Sequence, residues 1–313
     1  MSLPKTFISC DWGTSNFRLR LVNTSTLEVI AEHSTNVGVK KLHQQYTESH
    51  QAETQTSYFA NYLKTEIKAL KFTGATPIIV ASGMATSSIG MVELPYVDMP
   101  IHFNGANLLS KTISENGLEL ILVSGAKTTA DVMRGEEIQA IGLSKHIPTD
   151  KEGVLLLPGT HSKHITFKNG VFTSFTTHMT GELFDVIRKN TLLTNSIIKT
   201  DWSKELEPAF IEGVNKGLEN QHLSSLFSIR ANDLLQNKTK EENFYFLSGL
   251  LIGGELAYLK NTHQQVYIAT TGILYELYKL ALDQTHQTVI CFDADRIDKA
   301  LLIGHKKIIA AHV

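Results

Sequence analysis

Phe7-Ile-Ser-Cys-Asp-Trp-Gly-Thr-Ser-Asn-Phe-Arg-Leu-Arg-Leu-Val22 is a short apolar run, a Gly-Thr turn and an alternating run, the pattern of a β-hairpin. Val154-Leu-Leu-Leu-Pro-Gly-Thr-His-Ser-Lys-His-Ile-Thr-Phe167 repeats it, and the two Gly-Thr pairs stand 146 residues apart in a chain of 313. One hydrophobic core rarely supports that length, so the repeat predicts two lobes that each open with the same hairpin. The boundary is expected at Pro148 to Gly153, in the polar stretch His146-Ile-Pro-Thr-Asp-Lys-Glu-Gly153, leaving lobes 1–148 and 153–313.

Between and beyond the hairpins, strand-like runs at Pro77-Ile-Ile-Val-Ala81, Leu118-Glu-Leu-Ile-Leu-Val123 and Val266-Tyr-Ile-Ala269 alternate with helical stretches. The helical candidates include Tyr58 to Leu70, Gly135 to Leu143, Gly181 to Asn190, Phe244 to Leu259 and Arg296 to Ala311. Such alternation is the mark of an α/β fold. Charge narrows the function: 29 Lys plus Arg against 31 Asp plus Glu leave no basic excess to neutralise a nucleic-acid backbone. No run of about 18 apolar residues suggests a membrane span. Cys10 and Cys291 have no metal or redox spacing and are read as buried apolar residues, so a cytoplasmic protein is expected.

The turns carry the chemistry. In Cys10-Asp-Trp-Gly-Thr-Ser-Asn16, Asp11 ends a strand and could hold a nucleotide-bound Mg²⁺. Gly13 lets backbone approach a phosphate, and Thr14, Ser15 and Asn16 can donate to it. An ordinary tight turn fits the same residues. The second turn shifts the balance: Gly159, Thr160, His161, Ser162 and Lys163 offer similar donors and a cation, while Leu157 stands where Asp11 would be. One nucleotide gripped by two related turns needs that asymmetry. Rival signatures fail: Gly125-Ala-Lys-Thr128 lacks the earlier glycine of a P-loop, and His161 and His164, three apart on a strand, point to opposite faces rather than to one zinc ion.

Taken in order, six motifs resemble the 2-dehydro-3-deoxygalactonokinase family of the actin/hexokinase superfamily. They are Asp11-Trp-Gly-Thr-Ser-Asn-Phe-Arg18, Ser82-Gly-Met-Ala-Thr-Ser-Ser-Ile-Gly90 followed by Pro95-Tyr96, Val132-Met-Arg-Gly-Glu-Glu-Ile-Gln139, Leu157-Pro-Gly-Thr-His-Ser-Lys163, Met179-Thr-Gly-Glu-Leu183 and Phe246-Leu-Ser-Gly-Leu-Leu-Ile-Gly253. The resemblance implies a two-domain actin-like (ribonuclease H-like) fold with a cleft between lobes. It also implies transfer of the γ-phosphate of ATP, with Mg²⁺, to the 6-hydroxyl of 2-dehydro-3-deoxy-D-galactonate. Another sugar or sugar acid as acceptor, or a non-catalytic ATP-binding regulator of the same fold, remains an alternative.

Within that frame the first lobe is the sugar-acid side and the second the nucleotide side. Arg18, Thr86, Ser87, Ser88 and Arg134 are the expected substrate contacts, since a keto acid needs a cationic fork and neutral donors. Asp131, Glu136 and Glu137 are candidates for the base that takes the hydroxyl proton; superfamily analogy favours Asp131, with Glu136 nearly level. Thr180 and Gly181 open a helix whose N–H groups could face phosphate. Arg230 is either an anion contact or a surface ion pair. Thr270-Thr-Gly-Ile273 should carry the adenosine contact at Gly272, although the glycine is displaced from the Gly-Ser-Ser the family implies. A small-molecule sugar acid and ATP are the expected partners, with a homodimer possible.

Overall fold

The structure is a computed structural model describing residues 3–49, 53–262 and 264–312. By internal packing the chain forms two units, the first holding Met1–Lys151, Phe167–Ser174 and Asp295–Val313, the second Glu152–Thr166 and Phe175–Ala294. The sequence reading placed one cut at 148–153; the structure instead assigns the hairpin tip 167–174 and the C-terminal helix to the first unit.

In the first unit, β1 (Thr6–Trp12), β2 (Phe17–Asn23), β3 (Val29–Thr35), β4 (Ile79–Gly83), β5 (Ser110–Glu115) and β6 (Leu118–Val123) form a sheet in the order β3-β2-β1-β4-β6-β5. The hairpin partners β1 and β2 are antiparallel, whereas β4 runs parallel to β1 and β6 parallel to β4. Helices α1 (Val39–Glu48) and α2 (Gln55–Ile67) follow β3. Phe59, Ala60, Leu63 and Ile67 recur on one face of α2 and bury against Ile8, Cys10 and Trp12 on one face of β1. The Trp12 ring meets Phe17 edge-on at 4.8 Å and Phe59 at a tilt at 5.3 Å.

The other face of β1 receives the C-terminal helix α9 (Ala294–His312); α3 (Glu136–Leu143) follows a short hairpin, Ala126–Lys127 with Val132–Met133. Polar side chains attach α9 to the unit. His305 bonds Ser9 on β1 at 2.8 Å and Ser82 on β4 at 2.9 Å. Asp298 meets Arg20 at 2.7 Å, and Lys307 donates to the carbonyls of Phe103 and Ile141 at 2.9 and 2.7 Å.

The second sheet repeats the plan. With β7 (Glu152–Leu157), β8 (Ser162–Lys168), β9 (Val171–His178), β10 (Gln265–Ile268) and β11 (Val289–Cys291), its order is β9-β8-β7-β10-β11, with the two-residue strand Ile101–His102 added antiparallel on β9, and β10 is parallel to β7. Three consecutive strands followed by two more on the far side of the first is the order of β3-β2-β1-β4-β6 again. This α/β duplication is what the paired hairpins predict. The helices are α4 (Thr180–Asn190), α5 (Glu207–Leu218), α6 (His222–Leu234), α7 (Lys240–Leu256) and α8 (Ile273–Asp283). A capping box, Thr239 with Glu242, starts α7. Helices α5 and α7 pack backbone to backbone: a Cβ on Gly213 would lie 2.2 Å from the Phe246 carbonyl, and one on Gly249 would lie 2.1 Å from that of Phe210. Cys10 is buried as expected, but Cys291 is half-buried; both are free thiols.

Candidate active site

The first turn closes tightly, with the Gly13 N–H on the Asn16 carbonyl at 2.9 Å, and it seats the next helix. Carbonyls of Ser15, Gly13 and Thr14 accept from the N–H groups of Gly38, Val39 and Lys40, the opening of α1. Thr14, Ser15 and Asn16 consequently point their side chains to solvent. Behind them Asp11, the expected metal ligand, faces Arg18, an expected substrate ligand, across the β1–β2 ladder at 3.1 Å. Among the described residues no group of three or more His, Cys, Asp or Glu could cage a metal ion.

The loop after β4 divides its three hydroxyls. Thr86 is buried and donates to the Val123 carbonyl at 2.8 Å, Ser87 is buried and donates to Met84 at 2.8 Å, and Ser88 is exposed. Arg134 braces the same loop: its Nη1 donates to the carbonyl and hydroxyl of Thr86 at 2.7 and 2.5 Å, Nη2 reaches the Leu94 carbonyl, and the guanidinium lies 4.1 Å over the Tyr96 ring. Only Ser88 of the expected hydroxyl trio therefore looks outward.

The acids separate too. Asp131 lies in the hairpin turn closed by the Thr128 N–H on its carbonyl, and its Oδ1 accepts from Val132 at 2.7 Å. It does not cap α3, a role that falls to Gly135. Gly135 takes a left-handed φ of 109°, and a Cβ there would come 3.3 Å from Gly83 at the end of β4. Onto this turn fold two carboxyls: Glu136 accepts the Arg134 N–H at 3.1 Å, and Glu137 the Gly135 N–H at 2.7 Å. Burial, then the neighbouring Glu136 charge, pushes Glu137 up to about 8.

The second turn docks on a helix in the manner of the first. The Glu182 N–H donates to the Thr160 carbonyl at 3.1 Å, the counterpart of Lys40 on Thr14. Gly181 presses so closely that a Cβ would lie 2.7 Å from the Gly159 carbonyl. His161 pairs with Glu182 at 2.5 Å on the surface, while Ser162 and Lys163 are buried in β8. Ser162 Oγ accepts from Gly159 at 3.3 Å and lies 3.2 Å from the Tyr278 hydroxyl. Gly272 has a left-handed φ of 64° with open space around it and precedes α8. Arg230 pairs with Asp233 at 3.1 Å, the ion-pair alternative.

Two features lay beyond the sequence reading. A pocket of about 410 Å³ runs from Gly159, Thr180 and Gly181 past Trp202, Phe244 and Tyr245 to Ile273 and Leu274, beside Gly272. Its walls come from five separate stretches of sequence, so no local motif announces it. The second is Glu255, buried near the end of α7 and bonded by His164, Thr180 and Tyr278. An acid inside the otherwise apolar run Phe244 to Leu259 was its available signal.

Comparison with known proteins follows the geometry. The family described as 2-keto-3-deoxy-galactonokinase matches residues 11–304. A Rhizobium meliloti protein named "Probable 2-dehydro-3-deoxygalactonokinase" is 30% identical over 303 residues, covering 94% of each chain. The Escherichia coli protein named 2-dehydro-3-deoxygalactonokinase is 29% identical, covering 85% of this chain and 86% of its own. A crystal structure from Sinorhizobium meliloti bearing the same enzyme name superposes with a TM-score of 0.82 at 29% identity, covering 98% of this chain and 96% of that one. The match spans both turns, the Gly135 acids and the pocket wall, and this chain belongs to the 2-keto-3-deoxy-galactonokinase family.

Proposed function

We infer that the protein is a sugar-acid kinase transferring the γ-phosphate of ATP to the 6-hydroxyl of 2-dehydro-3-deoxy-D-galactonate. The observation that carries this reading is the twice-built turn, each seated on the N-terminus of a following helix, in a member of a family named for that reaction. Backbone N–H groups at such turns are ready partners for phosphate oxygens. The 410 Å³ pocket beside the second turn suits an adenine: flat aromatic walls from Trp202, Phe244 and Tyr245, with Asp201 and Ser248 able to hydrogen-bond.

On the first unit, Ser88 and Arg18 are the proposed sugar-acid contacts, and the base is assigned to the Glu136–Glu137 pair. Those carboxyls share the turn that abuts Gly83, whereas Asp131 belongs to a separate hairpin tip. Mg²⁺ would stabilise charge developing on the phosphates. Among the described residues no acidic cage is present, so Asp11 would be its protein ligand, with nucleotide oxygens and water supplying the rest, and Arg18 would exchange Asp11 for a substrate carboxylate. The two free thiols support a cytoplasmic setting, and among the described residues no helix is long and apolar enough to cross a membrane.

A homodimer is proposed through the outer side of α6. Ile229 and Ser225 bury against the unit while Leu223, Phe227 and Leu234 align on the opposite side, and a helix apolar on both sides calls for a second partner. Light scattering should return twice the 34.7 kDa chain mass, falling to one in Phe227→Glu. The catalytic reading is tested by ADP release with Mg-ATP and a panel of six-carbon sugar acids. Turnover with the galactonate compound, reduced about 10²-fold or more by Glu136→Gln or Glu137→Gln but not by Asp131→Asn, is the expected result. Silence across the panel with ATP still bound would point to another acceptor or to a regulator.

A further inference from the structure

Glu255 is a charge in an unfavourable place. It lies in the last turn of α7, where the helix dipole repels an anion, and its side chain is 1% exposed. Replacing such a buried ion by an apolar side chain is often neutral or stabilising, so packing alone does not explain it. What surrounds it is a full set of donors. His164 Nε2 lies 2.8 Å from Oε1, the Tyr278 hydroxyl is 2.9 Å from both oxygens, and the Thr180 hydroxyl donates to Oε2. Burial alone would raise its pKa, but the His164 and Thr180 bonds hold it below the usual carboxylate range.

Each donor leads to the second turn. Thr180 is the first residue of α4, immediately before the Gly181 that presses on Gly159. Tyr278 links onward to Ser162, which accepts the Gly159 N–H. His164 is two residues along β8 from Ser162, and its Nδ1 is fixed by the Tyr258 hydroxyl at 2.8 Å. One carboxylate thus joins the strand leaving the turn, the helix packed on it, and α8. Thr180 and Tyr278 also line the 410 Å³ pocket, whereas Glu255 and His164 do not.

We propose that Glu255 is a positioning residue for the nucleotide phosphates, holding the Gly159–Ser162 turn and the α4 N-terminus at a fixed separation from beneath while touching no ligand itself. This rests on the reading of that turn as the ATP phosphate site. A Gln at the position turns one acceptor into a donor facing hydroxyls and an imidazole, so the set can no longer be satisfied and the turn loosens.

The test is ADP binding by calorimetry, with KM for ATP and for the sugar acid, on the wild type, Glu255→Gln, His164→Gln and the double variant. Each single change should weaken ADP and raise KM for ATP about tenfold, leave KM for the sugar acid within about twofold, and combine with little further loss because both disrupt one unit. Thr180→Val, which removes the hydroxyl bonded to Glu255, should weaken ADP likewise. If Glu255→Gln melts normally and binds ADP with unchanged affinity, the proposal is overturned. Should that variant not fold, Tyr278→Phe and Thr180→Val leave the charge in place, and wild-type ADP affinity in both overturns it equally. A wild type that binds no ADP at all removes the nucleotide reading and this inference with it, a result separable from failure of the inference alone.

Discussion

Ser9 and Ser82 stand on adjacent strands of the first sheet and share one imidazole, that of His305. Complete burial pushes this histidine down to about 3, while in an unfolded chain it titrates near 6.5. The folded pKa is the depressed one, so the unfolded state binds the proton first on acidification. His305 therefore lends stability that is whole above pH 6.5 and drains away between 6.5 and 3, roughly 2 kcal/mol of it by pH 5. Urea midpoints at pH 7.5 and 5 should show a steeper loss for the wild type than for His305→Gln. Glu137 runs the other way. Its raised pKa means that ionisation, half complete near 4.5 in the unfolded chain, is resisted up to about 8 in the fold, so stability falls as pH climbs through that window. Glu137→Gln should melt higher than the wild type at pH 8 even as its turnover collapses, a trade expected where a strained carboxyl serves chemistry. Both residues stood open in the sequence, Glu137 among the base candidates and His305 inside a predicted helix. Their burial did not, because it depends on which strand each helix covers.

Among the elements, the legible ones were those with a local signature. Strand Leu118–Val123 was foreseen to the residue, and α3 to within one. Helix α5 was not, since Gly213 and Gly217 weaken its intrinsic preference. Those same glycines admit the α7 backbone, so the contact that stabilises α5 is tertiary and left no mark at the local level. The docking of α4 on the second turn is of the same kind: the sequence shows Thr180 and Gly181 as a helix start with free N–H groups, but the role of Gly181 as a spacer emerges only from the fold. Gly181→Val would drive its side chain against the Gly159 carbonyl and the Thr160 Cα. It should abolish the upward shift in melting temperature that saturating ADP gives the wild type, a shift worth about 2.7 kcal/mol at a hundred times Kd. An unchanged shift would detach the turn from nucleotide binding.

For the molecule as a whole, the duplication was readable because both hairpins kept their Gly-Thr turns, and strand order then repeats behind each. The extent of each unit was not readable, since nothing in Ala294–His312 says that this helix belongs with residues nearly 300 positions earlier. Its anchors, among them Ser9, Arg20, Ser82, Phe103 and Ile141, are spread over the first half of the chain. A chain ending before Ala294 should leave the first unit collapsed but unfinished, with weak hydrogen-exchange protection in β1 and β4, and a synthetic peptide of the missing helix should restore that protection in trans.

The position of α9 sets an order of events during synthesis. As the chain leaves the ribosome its second unit can complete itself, whereas the first, though begun earlier, must wait for α9, which is made after the second unit. For that interval the face of β1 that α9 will cover has only water or a chaperone against it, and a stalled or truncated message would release a product whose older half is the less finished.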